Sequence, residues 1–312
     1  MLHNDSAQGQ RPGHYLFLVF KDSKINVQLN ILPLVNVSLV LYRTPADELT
    51  AILLTLLRSN VVRRIYVIDN SPEPLTALPW EKGGAVFAQL GETPYRRIEY
   101  RHTGSNMGYG AAHNIAMRET LYDDVPYHLV LNTDIRFEPD VLSRLVAQME
   151  QQPEIGLLQP RVTDEQGKMQ YLCKMLPTPC DLLRRVVYGK HISHSRANNR
   201  FELHHLNHSR PINAPYLSGC FMLIRTAALE KAGLFDERFF MYPEDIDLTR
   251  RIHRDYLTLY YPSETIIHAH RRASYHSPKM FLIHAANICR YFNKWGWLND
   301  PERRLYNSML AK

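Results

Sequence analysis

The chain has 312 residues, of which 45% are hydrophobic and 22% are charged, so it can bury the core of one large globular domain, with or without an appendage. Its net charge of +6 favours anionic partners, whether nucleotide diphosphates, nucleic acid or an anionic membrane surface, and does not choose among them. No apolar run approaches the roughly 20 residues that span a bilayer, and the cysteines lack C-x-x-C spacing, so we expect a reduced, cytosolic protein that is soluble or peripheral.

Residues 1–34 are predicted to form a polar tail and short strands ahead of the main domain. Strands and helices then alternate along the chain. Strands are predicted at 35–42, 64–69, 98–101 and 128–132, helices at 46–60 and 139–152, and a loop that feeds a helix at 108–121. This alternation is typical of an α/β protein whose mostly parallel sheet is covered by helices.

The pattern loosens after residue 159. A hairpin is predicted around 164–167, and the basic, His-rich stretch 173–213 has no clear period, which indicates a mobile or functional loop. Residues 278–310 are predicted to be helical, as an interfacial membrane helix or as helix packed on its own domain. The predicted division is therefore an N-terminal region 1–34, an α/β domain 35–275 and a helical extension 276–312.

Asp69 and Asn70 end a predicted strand. In an open α/β sheet, ligands bind outside the carboxyl ends of the strands, where a carboxylate can accept hydrogen bonds from a pyrimidine ring or a ribose. The alternative is an Asx turn into Pro72, and it is favoured when the pair is taken alone.

Small and amide residues then precede the predicted helix, at Asn106, Gly108, Gly110 and Asn114. Close approach of the backbone to a diphosphate needs such residues, and we favour that role over a plain helix entry. A dinucleotide-binding fingerprint fits poorly, because His113 stands where Gly or Ala is needed.

Two further sets of polar residues follow predicted strands. Asn132 and Asp134 come after one strand, where a carboxylate can hold Mg²⁺ or Mn²⁺ and a helix cap is the equal alternative. His268 and His270 lie two apart and point to one side of a strand, so both could ligate a metal, although a solvated strand end is the alternative for such a pair.

An apolar run over 216–225 leads to an acidic helix start at Glu244, Asp245 and Asp247. Acidic residues are common in a first helical turn. Asp245 and Asp247 are two apart and cannot share one face of a helix, so at most one of them can serve as a general base at a given site.

In this order the motifs resemble the inverting family 2 glycosyltransferases with a GT-A fold, above all bacterial rhamnosyltransferase-like members, over about residues 35–275. The motifs are Val67–Ser71, Asn106–Asn114, Leu131–Asp134, Ser218–Arg225, Gly233–Phe240, Glu244–Leu248 and His268–His270. The resemblance implies a Rossmann-like, mostly parallel central sheet flanked by helices.

The resemblance also implies roles for individual residues. Asp245 matches the catalytic base, and Asp134 matches the final acid of the D-x-D metal motif, with Asn132 standing where its first Asp often lies. His270 or His268 would contact the metal or the diphosphate. The expected nucleotide-binding residues are Asp69, Asn70, Asn106, Gly108, Gly110, Asn114 and Asn132. The expected residues on the acceptor side are Gly219, Glu244 and His268.

The expected function is transfer of a sugar, rhamnose first, from a dTDP- or UDP-sugar to a hydroxyl of an O-antigen, capsule or other lipid-linked glycan, with a divalent metal and without nucleic acid. The enzyme is expected in the cytoplasm, with peripheral contact to the inner face of the membrane. A nucleotidyltransferase is one alternative, but residues 42–47 lack the glycine of its phosphate loop. A non-catalytic nucleic-acid-binding protein is the other, and only the positive charge suggests it.

Overall fold

The computed structural model describes residues 35–91, 96–188, 195–269 and 278–311, which belong to one compact unit, Leu34–Lys312. The tail and strands predicted before residue 35, and the predicted metal ligand His270, lie outside the described residues. No helix within the described ranges is long and apolar enough to cross a membrane.

The main-sheet strands are β1 (Val35–Leu41), β2 (Val62–Asp69), β3 (Ile98–His102), β4 (Tyr127–Leu131), β5 (Ile135–Arg136), β6 (Ile155–Thr163), β8 (Ile212–Asn213), β10 (Phe221–Arg225) and β11 (Leu257–His268). A second sheet pairs β7 (Cys173–Lys174) with β9 (Tyr216–Leu217). The helices are α1 (Ala46–Arg58), α2 (Ala85–Leu90), α3 (Tyr109–Tyr122), α4 (Pro139–Gln151), α5 (Pro179–Tyr188), α6 (Arg196–Phe201), α7 (Thr226–Ala232), α8 (Glu244–Ile252), α9 (Pro278–Trp295) and α10 (Pro301–Leu310).

The strand order in the main sheet is β3-β2-β1-β4-β10-β6-β11-β5, with β8 on β11. Strands β3, β2, β1 and β4 are parallel, β10 is antiparallel to β4 and β6, and β11 is parallel to β6. The carboxyl ends of β2, β4 and β11 therefore share one edge of the sheet with the start of β10. The predicted α/β class with a mostly parallel sheet is confirmed.

The core lies between this sheet and the helices on its faces. The leucines at helical spacing in α1, such as Leu49 and Leu53, are buried against it. On the face covered by α3, the Ser38 hydroxyl lies 2.6 Å from His113 Nδ1 and 2.8 Å from His128 Nε2, which ties α3 to β1 and β4. Burial lowers the pKa of both imidazoles, so both are neutral at physiological pH.

The stretch 173–213 differs from the predicted loop. It contains β7, α5, α6 and β8, and these elements are too short to produce a readable hydrophobic period. Ser195 caps α6 by accepting a hydrogen bond from the Asn198 N–H. The hairpin predicted around 164–167 is present, since Asp164 N–H donates to the Lys168 carbonyl.

Candidate active site

Helix α8 begins at the sheet edge with Glu244 and Asp245, directly against the turn that leads into β10. The Asp245 Oδ2 accepts a hydrogen bond from Gly219 N–H at 3.0 Å, and its Oδ1 accepts one from Ile246 N–H at 2.8 Å. Burial raises the pKa of Asp245, and these two N–H groups and the charge of Lys174 oppose that rise. Asp245 is thus a fixed carboxylate with increased basicity, as a general base requires.

Asp247 has a different environment from Asp245. The two residues are two positions apart in α8, so their side chains point to different sides of the helix. It is fully buried and accepts hydrogen bonds from Arg251 Nε at 2.9 Å and from Trp295 Nε1 at 2.8 Å. Its Oδ1 also lies 2.6 Å from Lys294 Nζ. Since both carboxylate oxygens are held by other side chains, the structure favours Asp245 as the base.

Glu244 is a buried acid with an unsatisfied oxygen. It is 4% exposed, and within the described residues its Oε2 has no hydrogen-bond partner. Burial and then the charge of Asp245 raise the pKa of Glu244 well above its ordinary value. Burial therefore favours the protonated form of Glu244, whereas the two backbone N–H groups at Asp245 favour the charged form of that carboxyl.

Replacing Glu244 by glutamine is expected to stabilise the fold at pH 8 by about 1 kcal/mol, because the native state no longer has to keep a carboxyl protonated. Above the unfolded-state pKa of Glu, the unfolded wild-type chain loses this proton and the native state keeps it. The contribution of Glu244 to wild-type stability therefore falls as pH rises, and the advantage of Glu244→Gln disappears as pH falls towards that pKa. Denaturant unfolding at several pH values measures the difference.

The control is Glu230→Gln, which replaces an exposed glutamate of α7. It should leave the pH dependence of wild-type stability unchanged. A constant difference between Glu244→Gln and wild type from pH 4 to pH 8 would contradict a protonated Glu244.

The ends of β4 and β11 bring Asp134 beside His268, with 3.3 Å between Asp134 Oδ1 and His268 Nε2. Burial lowers the pKa of His268, but hydrogen bonds to Asp134 and Cys220 outweigh it and raise the value to about 10. Asn132 lies at the same edge, with its Oδ1 2.9 Å from the Tyr109 hydroxyl. Within the described ranges no group of three His, Cys, Asp or Glu is arranged to hold a metal ion.

Asp69 and Asn70 lie below the surface of this edge. Both Asp69 carboxylate oxygens are occupied, one by Ser71 N–H at 2.9 Å and the other by the Tyr100 hydroxyl at 2.7 Å. Asn70 Nδ2 donates to the Gly108 carbonyl at 3.1 Å and lies 3.4 Å from Asn106 Oδ1. Asp69 thus forms the Asx turn that was the alternative interpretation, and Asn70 supports the loop before α3.

The small residues at the start of α3 allow close approach of the chain's own 235–240 segment. A Cβ at Gly108 would lie 2.4 Å from the Phe240 carbonyl oxygen, and one at Gly110 would lie 2.8 Å from Phe235 Cβ. Gly108 also has φ +94°, which favours glycine. Asn114 accepts from the Phe235 N–H and donates to its carbonyl.

Tyr42 is a candidate that the sequence analysis did not select. Its ring follows β1 directly and is 50% exposed, beside the turn in which Arg43 N–H donates to Ser71 Oγ at 2.8 Å. An exposed aromatic ring at the carboxyl end of a parallel strand can stack on a base. The sequence signal that could have identified Tyr42 is its position at the carboxyl end of the first predicted strand.

Comparison with known proteins decides the family. The family model described as glycosyl transferase family 2 matches residues 46–233, which is more than half of the chain. The chain belongs to glycosyl transferase family 2. This glycosyltransferase is therefore an enzyme of the predicted class, and the resemblance found in its motifs is confirmed. Asp245 and His268 lie beyond the matched residues.

Two named relatives are similar to this glycosyltransferase. It is 28% identical over 230 residues to the N-acetylglucosaminyl-diphospho-decaprenol L-rhamnosyltransferase of Mycobacterium tuberculosis, covering 70% of this chain and 74% of that protein. It is 25% identical over 164 residues to the low-salt glycan biosynthesis hexosyltransferase Agl10 of Haloferax volcanii, covering 52% of this chain and 48% of that protein.

Solved structures agree on the fold. GalNAc-T7 with UDP, GalNAc and Mn²⁺ aligns with a TM-score of 0.57 at 13% identity, covering 85% of this chain and 48% of that one. The mannosyltransferase PcManGT of Pyrobaculum calidifontis, with GDP-Man and Mn²⁺, aligns with a TM-score of 0.54 at 15% identity, covering 89% and 69%. The glycosyltransferase has the predicted GT-A fold.

Proposed function

We propose that this enzyme transfers a sugar, with rhamnose as the first candidate, from a dTDP- or UDP-sugar to a hydroxyl of a lipid-linked cell-surface glycan such as an O-antigen or capsule precursor. The observation that carries the proposal is Asp245, a fixed and unusually basic carboxylate at the ligand edge of the sheet. The named activity of the mycobacterial relative supports the sugar and the lipid-linked acceptor. Such an acceptor would place the enzyme at the inner face of the cell membrane.

Asp245 takes the proton of the acceptor hydroxyl, which attacks the anomeric carbon from the face opposite the leaving diphosphate. The new bond joins the acceptor oxygen to the anomeric carbon, and the bond from that carbon to the diphosphate oxygen breaks, so configuration inverts. Each Asp245 oxygen already accepts one backbone N–H and retains lone-pair capacity for the proton. The neutral Glu244 keeps a second negative charge away from the base.

The donor would lie along the ends of β1 and β4. Tyr42 offers a ring for the base, and Asn132 offers an amide close to the sugar or diphosphate. Asp134, with His268 or the predicted ligand His270, would hold Mg²⁺ or Mn²⁺, and His268 would first have to lose the proton that its raised pKa retains. The Asp134 carboxylate fits a divalent cation that receives its other ligands from a diphosphate. Such a cation, when bound, neutralises charge on the diphosphate.

A donor panel tests this function. Thermal shifts and release of nucleotide are measured for dTDP- and UDP-sugars, with dTDP-rhamnose expected to give the largest shift. EDTA is expected to reduce both readouts, and Mg²⁺ or Mn²⁺ to restore them, because Asp134 supplies a single carboxylate for a charged diphosphate. Full activity after thorough chelation would show that the reaction needs no metal. Consumption of a nucleoside triphosphate together with a sugar phosphate would instead identify a nucleotidyltransferase.

A further inference from the structure

A cavity of about 500 Å³ lies outside the catalytic edge, between α9 and the segment that leads to α8. Arg238, Arg290, Asn293 and Lys294 line it. Arginine and lysine beside an amide supply only hydrogen-bond donors and positive charge, apart from one amide oxygen. The lining therefore selects an anion with several oxygens, such as a phosphate or diphosphate.

The charges around the cavity do not cancel. Lys294 Nζ contacts Asp236 Oδ2 at 2.8 Å and Asp247 Oδ1 at 2.6 Å, and Arg238 pairs with the same Asp236 at 2.7 Å. Arg290 is exposed and donates to Asn287 Oδ1 at 2.7 Å, and within the described residues it has no carboxylate partner. Arg290 thus supplies a positive charge that is not neutralised by a neighbouring acid.

An apolar surface continues from the cavity along α9. Leu282, Ala286, Cys289 and Asn293 are spaced by four, three and four residues, so they share one exposed face of the helix. We call Leu282, Ala286 and Cys289 the α9 stripe. The Leu282 side chain is 67% exposed, and at 1.5 Å per residue it lies about 16 Å along the axis from Asn293. Cationic cavity and apolar stripe together match an amphiphile with an anionic head.

The cavity is connected to the catalytic helix. Lys294 contacts Asp247 on the first turn of α8, two residues after the candidate base Asp245. Asn287, which holds Arg290, also donates to the Met241 carbonyl in the segment before α8. An anion bound here would therefore sit beside the same turn that presents the base.

We propose that this cavity binds the diphosphate of a lipid-linked acceptor and that the α9 stripe carries the first part of its hydrocarbon chain. The inference rests on the proposed function, and it adds the place where the acceptor's diphosphate and lipid bind. The donor diphosphate is proposed to bind near Asp134, at the ends of β4 and β11, so the enzyme would have separate sites for two diphosphates.

Calorimetric titration without donor tests the assignment, with farnesyl diphosphate and inorganic pyrophosphate as probes. Wild-type enzyme is expected to bind farnesyl diphosphate more tightly than pyrophosphate. Arg290→Gln is expected to weaken both by about tenfold, since one charge-assisted contact is lost. Leu282→Gln is expected to weaken farnesyl diphosphate alone.

The matched control is Arg304→Gln, because Arg304 is also exposed on a C-terminal helix and also bonds one asparagine, Asn299. It should bind both probes like wild type. If Arg290→Gln and Arg304→Gln bind both probes with equal affinity, the cavity is not the diphosphate site. If Leu282→Gln binds farnesyl diphosphate like wild type, the α9 stripe does not bind the hydrocarbon chain. If Arg290→Gln loses binding to phosphatidylglycerol vesicles but keeps farnesyl diphosphate, the cavity serves a bilayer surface and the proposal fails. The donor panel decides the transfer reaction independently.

Discussion

Replacing Asp245 by asparagine is expected to lower the transfer rate about a thousandfold, within the range for loss of a general base. Asparagine keeps the shape of the side chain and can still accept from Gly219 N–H, but it cannot take the acceptor proton. Donor affinity should survive, because the donor is proposed to bind at the ends of β1 and β4. Initial rates of nucleotide release and a donor titration measure the two effects separately.

Asp255→Asn is the control, since Asp255 follows α8 and pairs with Lys231 at 2.7 Å outside the site. It should retain wild-type rates. The acid limb of the wild-type rate should also lie at higher pH than an ordinary aspartate gives, because the base must be deprotonated and burial raises the pKa of Asp245. Near-normal transfer by Asp245→Asn, with an unchanged melting curve, would remove Asp245 from the mechanism.

Replacing Arg250 by methionine is expected to destabilise the fold by about 3–5 kcal/mol, the usual effect of leaving a buried charge without its partner. Arg250 is buried and forms two hydrogen bonds with Asp300, at 2.8 and 2.6 Å, and one with Glu302 at 2.6 Å. Its guanidinium also lies 4.0 Å from the centre of the Trp295 ring. The variant removes both short guanidinium contacts of the buried Asp300, which keeps only the Arg303 N–H at 2.9 Å and the Arg303 guanidinium at 3.8 Å. Denaturant unfolding measures the loss.

Arg254→Met is the matched control. Arg254 follows the end of α8, its side chain is 46% exposed, and it bonds the same Glu302 at 2.6 Å. An exposed pair of this kind contributes about 1 kcal/mol or less. Adding Asp300→Asn to Arg250→Met should recover part of the stability, because the buried Asp300 carboxylate is then removed and Arg303, 3.8 Å from it, is the buried charge that stays. Equal losses for Arg250→Met and Arg254→Met would contradict the buried pair.

Much of the fold follows from local patterns. The spacing of the α1 leucines and the branched residues of β1 predict elements that the structure contains, because burial on one face or both imposes those periods. The short elements between residues 173 and 213 could not be predicted in the same way. These short elements are held in place by long-range contacts, such as the hydrogen bonds between Leu176 and Asn307.

The candidate site was also predicted only in part. The motifs predict that Asp134, Gly219, Asp245 and His268 lie at one edge of the sheet, because the strand ends meet there. The hydrogen-bond partners of these residues could not be predicted from the sequence. Asn114, which stays a predicted donor residue, holds the backbone of Phe235, which is 121 residues away in sequence. Sequence spacing left Asp245 and Asp247 as alternatives, which their contacts now distinguish.

Because the C-terminal helices hold α8 in place, they restrict where segments of this enzyme can be exchanged with those of relatives. The family model matches the chain as far as residue 233, whereas Asp245 and the side chains that hold its helix, from Lys294 to Glu302, come later. A chimera joined between α8 and α10 would separate the candidate base from these contacts. Since Gly219 also bonds Asp245, a junction that preserves its surroundings lies before Gly219, and the candidate base is then exchanged together with the C-terminal helices.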